Sequence, residues 1–156
     1  MISILSPLIL APPFGPASGR ATTIREAVVA ALKADYDFVA IIGDRIYPDW
    51  IAQTSPLPAC TVSIASSVRG QVLSGHDAVT RSVVQVDLWS RTKSELVAAK
   101  EAVEALLDGA RGEFSGIEIL WSSQQDEVDR SERADDGSDR HLYRVSLAYL
   151  IRHRTT

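Results

Sequence analysis

The stretch of residues 80–107 constrains the fold of this chain more than any other. In its first part apolar and polar residues alternate, which predicts a strand over residues 80–91. One face of that strand carries Val84, Val86 and Leu88. A helix follows at once, because Thr92 and Glu95 have the spacing of a capping box, in which hydroxyl and carboxylate each satisfy an orphan amide. A long strand that leads directly into an amphipathic helix indicates a sheet covered by helices.

The remaining elements follow from the same signals. Thr23 and Glu26 repeat the capping-box spacing and predict a first helix that ends near residues 34–36, with residues 38–42 as one further helical turn. Strands are predicted over residues 45–51, 59–66, 117–123 and 141–152. The order of helix, strands, helix and strands predicts one α+β domain over residues 23–156. Its sheet is expected to be mostly antiparallel and covered by two helices.

Charge is concentrated in one segment. The chain has 16 basic and 20 acidic residues, a net charge of −4. Residues 124–140 contain seven acids and three arginines, so this segment alone accounts for −4 (3 − 7) and the rest of the chain is neutral. With almost no apolar residue to bury, the segment is expected to be a mobile acidic loop. A neutral domain of this kind is not expected to carry the basic patch with which proteins bind nucleic acid.

The first 22 residues form an apolar arm and a linker. Prolines at positions 7, 12 and 13 interrupt the apolar run, and no basic leader precedes it, so we expect neither a membrane span nor a signal peptide. A flexible tail is one reading. However, a solvated tail gains nothing from apolar residues such as Leu8, Ile9 and Phe14. We therefore interpret the segment as an arm that docks on its own domain or on a neighbouring subunit.

The residues give no signal for catalysis. Neither helix start has the glycine spacing of a phosphate-binding loop, and the three histidines lack metal-ligand spacing. Ser74, His76 and Asp77 include the residue types of a hydrolytic triad, yet residues this close in one turn cannot easily adopt its geometry. We therefore expect no enzyme activity, no cofactor and no metal.

Three further residues are candidate interface anchors. Val83 and Trp89 lie on the second face of the predicted strand over residues 80–91, which a single layer of helices would leave open. Trp121, on a later strand, is a large aromatic that fits either a core or an interface. Together with Leu8, Ile9 and Phe14, these residues are the predicted contacts with other proteins.

The order of these segments resembles the tail completion family of tailed bacteriophages, the tail-terminator or tail-to-head joining proteins. The resemblance spans residues 23–154 and depends on an ordered series of weak signatures. The series is IREAVVAALKAD, GDRIYPDWI, PLPACTVSIAS, VVQVDLWSRT followed by SELVAAKEAVEALL, and RHLYRVSLAYLIRHR. The piece VQVDLWSRT before a capped helix is the most specific of them.

The resemblance implies a structural role without catalysis. It implies a hexameric ring that caps the tail tube and joins it to a head-side connector or stopper protein, in a phage, a prophage or a gene transfer particle. DNA would pass through the lumen without specific binding, and the protein would be assembled into the particle in the bacterial cytoplasm. The alternative is a small α+β binding module that forms a homodimer through its sheet in the cell.

Overall fold

The structure, a computed structural model, describes residue 21 and residues 23–133 and 140–155. The elements in chain order are α1 (Ile24–Ala34), α2 (Tyr36–Ile42), β1 (Ile46–Pro48), β2 (Ala59–Val72), β3 (Gly75–Ser90), α3 (Lys93–Leu107), β4 (Gly112–Phe114), β5 (Ile117–Asp129), β6 (Glu132–Arg133) and β7 (His141–Thr155). The predicted arm, with Leu8, Ile9 and Phe14, lies outside the described residues.

One curled sheet forms the centre of the molecule. Its strand order is β1-β2-β3-β7-β5-β4, and β6 pairs with β7 beside this path. The pairing of β1 with β2 is parallel, and every other pair is antiparallel. The predicted fold class, an α+β domain with a mostly antiparallel sheet, is therefore confirmed.

The helices pack against one face of this sheet. Val84, Val86 and Leu88 of β3 are fully buried beneath them, as the alternation predicts. The same core cluster contains the apolar stripe of α3, made of Leu96, Ala99, Val103 and Leu107. Burial of each such large side chain contributes about 1.5–3 kcal/mol to the stability of the fold.

The number of helices differs from the prediction. Residues 36–42 form a helix of their own, α2, and do not simply continue α1. Asp35 separates the two: it is the C-cap of α1, and its carboxylate accepts a hydrogen bond from the Phe38 amide at 2.8 Å as the N-cap of α2. The sheet is thus covered by three helices.

The hairpin of β2 and β3 is longer than predicted. We expected β2 to end near residue 66 and β3 to begin near residue 80, whereas the ladder continues to the pair Val72 and Gly75. Two register shifts, at Ile64/Ser66 and Arg69/Gln71, interrupt the ladder between β2 and β3, as bulges do in long hairpins. This part of β2 is polar and lacks the alternation that predicts a strand. It is a strand because it pairs with β3.

The acidic segment is not a loop over its first part, contrary to our expectation. Residues 124–129 continue β5 and pair with β7, up to Asp129 opposite Val145. Lys100 of α3 adds an anchor, since its ammonium donates to Glu127 at 2.5 Å, and this bond raises the pKa of Lys100. Residues 134–139 lie outside the described residues.

Candidate functional site

The face of the sheet opposite the helices has no helix packed on it in the described ranges; we call it the open face. It consists of the alternate residues of four strands that do not contribute to the core. Its principal side chains are Thr61, Val83, Gln85, Asp87, Trp89, Trp121, Arg144, Ser146, Leu150 and Arg152. Apolar, polar and charged groups are mixed on this face, as on the surfaces of proteins that assemble with others.

A polar cluster around Asp87 occupies one end of the open face. The carboxylate of Asp87, whose side chain is 8% exposed, accepts hydrogen bonds from the Ser146 hydroxyl and from Gln85 Nε2, the latter at 3.0 and 3.1 Å. Arg144 Nη2 donates to the same carboxylate at 3.4 Å, and its guanidinium lies 4.8 Å from the centre of the Trp89 ring. The cluster neutralises a buried charge and holds Trp89 in place.

A shallow groove lies toward the other end of the open face. Its volume is about 410 Å³, and its lining residues are Gly70, Val79, Arg81, Trp121, Leu150 and Arg152. Trp121 is 38% exposed and stands opposite Arg152 in the ladder of β5 and β7. The groove therefore offers an aromatic and aliphatic surface beside two cations, which suits a protein partner better than a small substrate.

The hairpin of β2 and β3 extends past the groove. We call its residues 68–79 the hairpin arm, which is distinct from the N-terminal arm. β3 last pairs with β7 at Thr80, so the arm projects by about 17 Å from that pair to Gly75. Its apolar side chains are unusually exposed: Val68 by 54%, Val72 by 51% and Leu73 at the turn completely. The sequence analysis did not identify these residues, although Val68 and Val72 have the even spacing of residues that share one face of a strand.

One buried set of side chains has the residue types of a catalytic pair but no access to a substrate. Ser82 Oγ lies 2.9 Å from His153 Nε2 and 3.0 Å from Ser67 Oγ. Ser82 is 0% exposed, and burial lowers the pKa of His153. Burial likewise raises the pKa of the Cys60 thiol, which makes it a poor nucleophile. Ser82, His153 and Cys60 are therefore buried side chains, whereas Ser67 lies at the surface.

Two other kinds of site do not occur in the part of the chain that the structure describes. No group of three or more histidine, cysteine, aspartate or glutamate residues there is placed to hold a metal ion. None of the helices described is long and apolar enough to cross a membrane.

The structure places the predicted anchors of the strands on one face but not in one site. Val83, Trp89 and Trp121 all lie on the open face. Trp89 pairs with Arg144 and Trp121 with Arg152, so the two tryptophans are about 27 Å apart along β7. Trp89 instead lines a small groove with residues 51–57. Their role as contacts with other proteins stays a prediction.

The comparisons with known proteins agree with this architecture. A model of the family "Tail completion protein gp17" matches residues 26–154. A chain from the structure "Virion of native gene transfer agent (GTA) particle" has the same fold, with a TM-score of 0.61 and 19% sequence identity over 86% of this chain and 97% of that chain. A comparison with curated proteins finds no match. Because the family match covers most of the sequence, the chain belongs to the family of tail completion proteins, structural components of phage-type tails.

Proposed function

We propose that this protein is the subunit of a ring that caps the tail tube of a phage or phage-like particle and joins the tube to the head. The observation that carries the proposal is the exposed apolar surface of the hairpin arm, at Val68, Val72 and Leu73. On an isolated subunit this surface would remain in water, whereas a subunit of a ring can bury it against a neighbour. The family to which the chain belongs supports the placement at the tail.

The partners follow from this position in the particle. Copies of the chain would contact one another around the ring, with six copies expected. The tail tube protein would lie below the ring, and a head-side connector or stopper protein above it. We propose that assembly takes place in the bacterial cytoplasm and that the protein remains in the finished particle.

A structural subunit needs no catalytic site, and we propose that this chain has no enzyme activity. The Ser82–His153 pair supports this view because both side chains are inside the core. DNA would pass through the lumen without specific binding. A net charge of −4 supports free passage, because a negatively charged subunit repels the phosphates of DNA.

In vitro complementation tests the proposal. Particles would be produced without this protein, and free heads and free tails would be separated from the lysate. Adding the purified chain to the tails before the heads is expected to restore joined particles, counted by electron microscopy. Heads and tails that join equally well without the chain would contradict the proposal.

A further inference from the structure

Two arginines of the open-face groove are exposed and carry unbalanced charge. Arg81 of β3 and Arg152 of β7 are cross-strand neighbours. Neither has a hydrogen-bond or ion-pair partner within the described residues. Arg154, the next residue of β7 on the same face, shows the contrast, because it forms a bidentate pair with Glu118 that lowers the pKa of that carboxyl. Two like charges side by side, next to Trp121 and Leu150, favour an acidic partner.

A second surface, on the helices, has the opposite charge. A shallow depression of about 400 Å³ between α2 and α3 is lined by Asp37, Ala40, Ile41, Ala98, Glu101, Ala102 and Ala105. Asp37 and Glu101 are exposed, and no ion pair of either occurs among residues 23–133 or 140–155. The neighbouring Lys100, by contrast, is engaged with Glu104 and Glu127. The depression thus combines small apolar residues with two unbalanced carboxylates.

These two surfaces lie on opposite sides of the sheet. The groove is on the open face, and α2 and α3 are on the helix-covered face. One copy of the chain therefore cannot bring its own arginines to its own Asp37 and Glu101, but two copies can meet in this way. The groove carries two positive charges, and the α2–α3 surface carries two negative charges. Each surface also has apolar residues beside its charges.

We propose that the groove at Arg81 and Arg152 of one copy receives the α2–α3 surface, with Asp37 and Glu101, of the next copy. This inference rests on the multi-copy assembly proposed above and assigns its repeating contact. Such a contact joins two different surfaces, so it repeats head to tail and forms a ring when the rotation closes. Nucleic acid is the other acidic occupant of a basic groove, but phosphates would not bury the apolar surface of Trp121 and Leu150.

Charge reversal tests the contact. One variant carries Arg81→Glu and Arg152→Glu, and the other carries Asp37→Arg and Glu101→Arg. Each variant alone places like charges opposite one another, and we expect its self-association to weaken about tenfold or more. The first variant has two acidic surfaces and the second has two basic surfaces. In an equal mixture, opposite charges therefore meet at every contact when the two variants alternate around the ring. The mixture is therefore expected to form rings with an even number of subunits, six included.

Sedimentation velocity of each variant, of the mixture and of the wild type measures this directly. The control matched to the arginine variant is Lys33→Glu with Arg111→Glu, which makes the same charge change outside both surfaces and is expected to assemble like the wild type. Failure of the mixture to recover would overturn the inference. So would single variants that assemble normally, or a wild type that stays monomeric up to its solubility limit with and without tails.

The same variants separate this inference from the proposed function. If the charge-reversal variants still self-associate and still join heads to tails, the proposed function stands and the proposed contact does not exist. Arginine reversals that abolish binding of double-stranded DNA fragments but not self-association would assign the groove to nucleic acid instead. Loss of joining by the wild type itself would contradict the function, whatever the contact.

Discussion

The guanidinium of Arg144 lies 4.8 Å from the centre of the Trp89 ring while its Nη2 donates to Asp87. One arginine thus links the aromatic ring of Trp89 to the buried carboxylate two residues before it on β3. The arrangement keeps Trp89 half-buried, with its ring held over the sheet instead of inside the core. A side chain that is already held in place in the subunit loses less conformational entropy when a partner binds to it.

The buried carboxylate of this cluster is expected to matter for stability. Asp87→Asn removes the charge that Ser146, Gln85 and Arg144 surround, and leaves the arginine without its partner. We expect the free energy of unfolding in urea to fall by about 1–3 kcal/mol. Asp126→Asn, an exposed carboxylate on the same face, is the control and should change stability by less than about 0.5 kcal/mol. Equal effects of the two changes would show that the cluster contributes nothing.

The tryptophans of the open face are expected to act in assembly more than in folding. Trp121→Glu alters a side chain that is 38% exposed, so the folded state should persist while joining of tails to heads is lost. Trp89→Glu should also block joining, at an additional cost of about 0.5–2 kcal/mol from the lost contact with Arg144. Trp50→Glu, at an 84% exposed residue outside the groove, is the control and should still join. If Trp89→Glu unfolds the chain outright, Trp89 belongs to the core.

The tip of the hairpin arm allows assembly to be tested without a change in the stability of the subunit. Leu73 is completely exposed at the turn, so Leu73→Ser should leave the Tm of the subunit unchanged within about 2 °C. Assembly should weaken, because an apolar contact of the arm is removed. Gln71→Ser changes a polar residue of the same arm and should assemble normally. Normal assembly of Leu73→Ser would show that the arm tip makes no contact.

Acid is expected to destabilise the subunit through His153. Burial lowers the pKa of His153 below its ordinary 6.5, so the unfolded chain binds the proton more tightly than the folded one. Stability attributable to this residue is full above pH 6.5 and falls as the pH drops toward the folded-state pKa, by at most about 1.4 kcal/mol per pH unit. His153→Gln should flatten the profile of unfolding free energy between pH 7 and pH 5. A profile of the variant that runs parallel to that of the wild type would contradict this cause.

Local signals in the sequence predicted the helix starts well. Thr23 and Glu26 form the full capping box, with bonds of 3.2 and 3.3 Å. Thr92 caps α3 through the Glu95 amide at 3.4 Å, but the Glu95 carboxylate accepts from the Ser90 hydroxyl instead. Capping depends on residues three apart, so it can be recognised without knowledge of the fold.

Features that depend on distant partners were not predictable in this way. The strand character of residues 124–129 comes from β7, more than 15 residues away in sequence, and nothing in their polar composition indicates it. The same holds for the groove, because Arg81, Trp121 and Arg152 meet only when β3, β7 and β5 are neighbours. Alternation identified Val83 and Trp89 as open-face residues but could not show that Arg144 covers one of them.

The position of the chain in the particle tests the central proposal most directly. Purified tails, completed with this protein and labelled by a gold-conjugated antibody against it, can be viewed by electron microscopy at a resolution that counts subunits. The proposal predicts a single ring of six copies at the head-proximal end of the tube, with the lumen open through its centre. Label along the length of the tube, label at its distal end, or tails that carry no copy of the chain would contradict it.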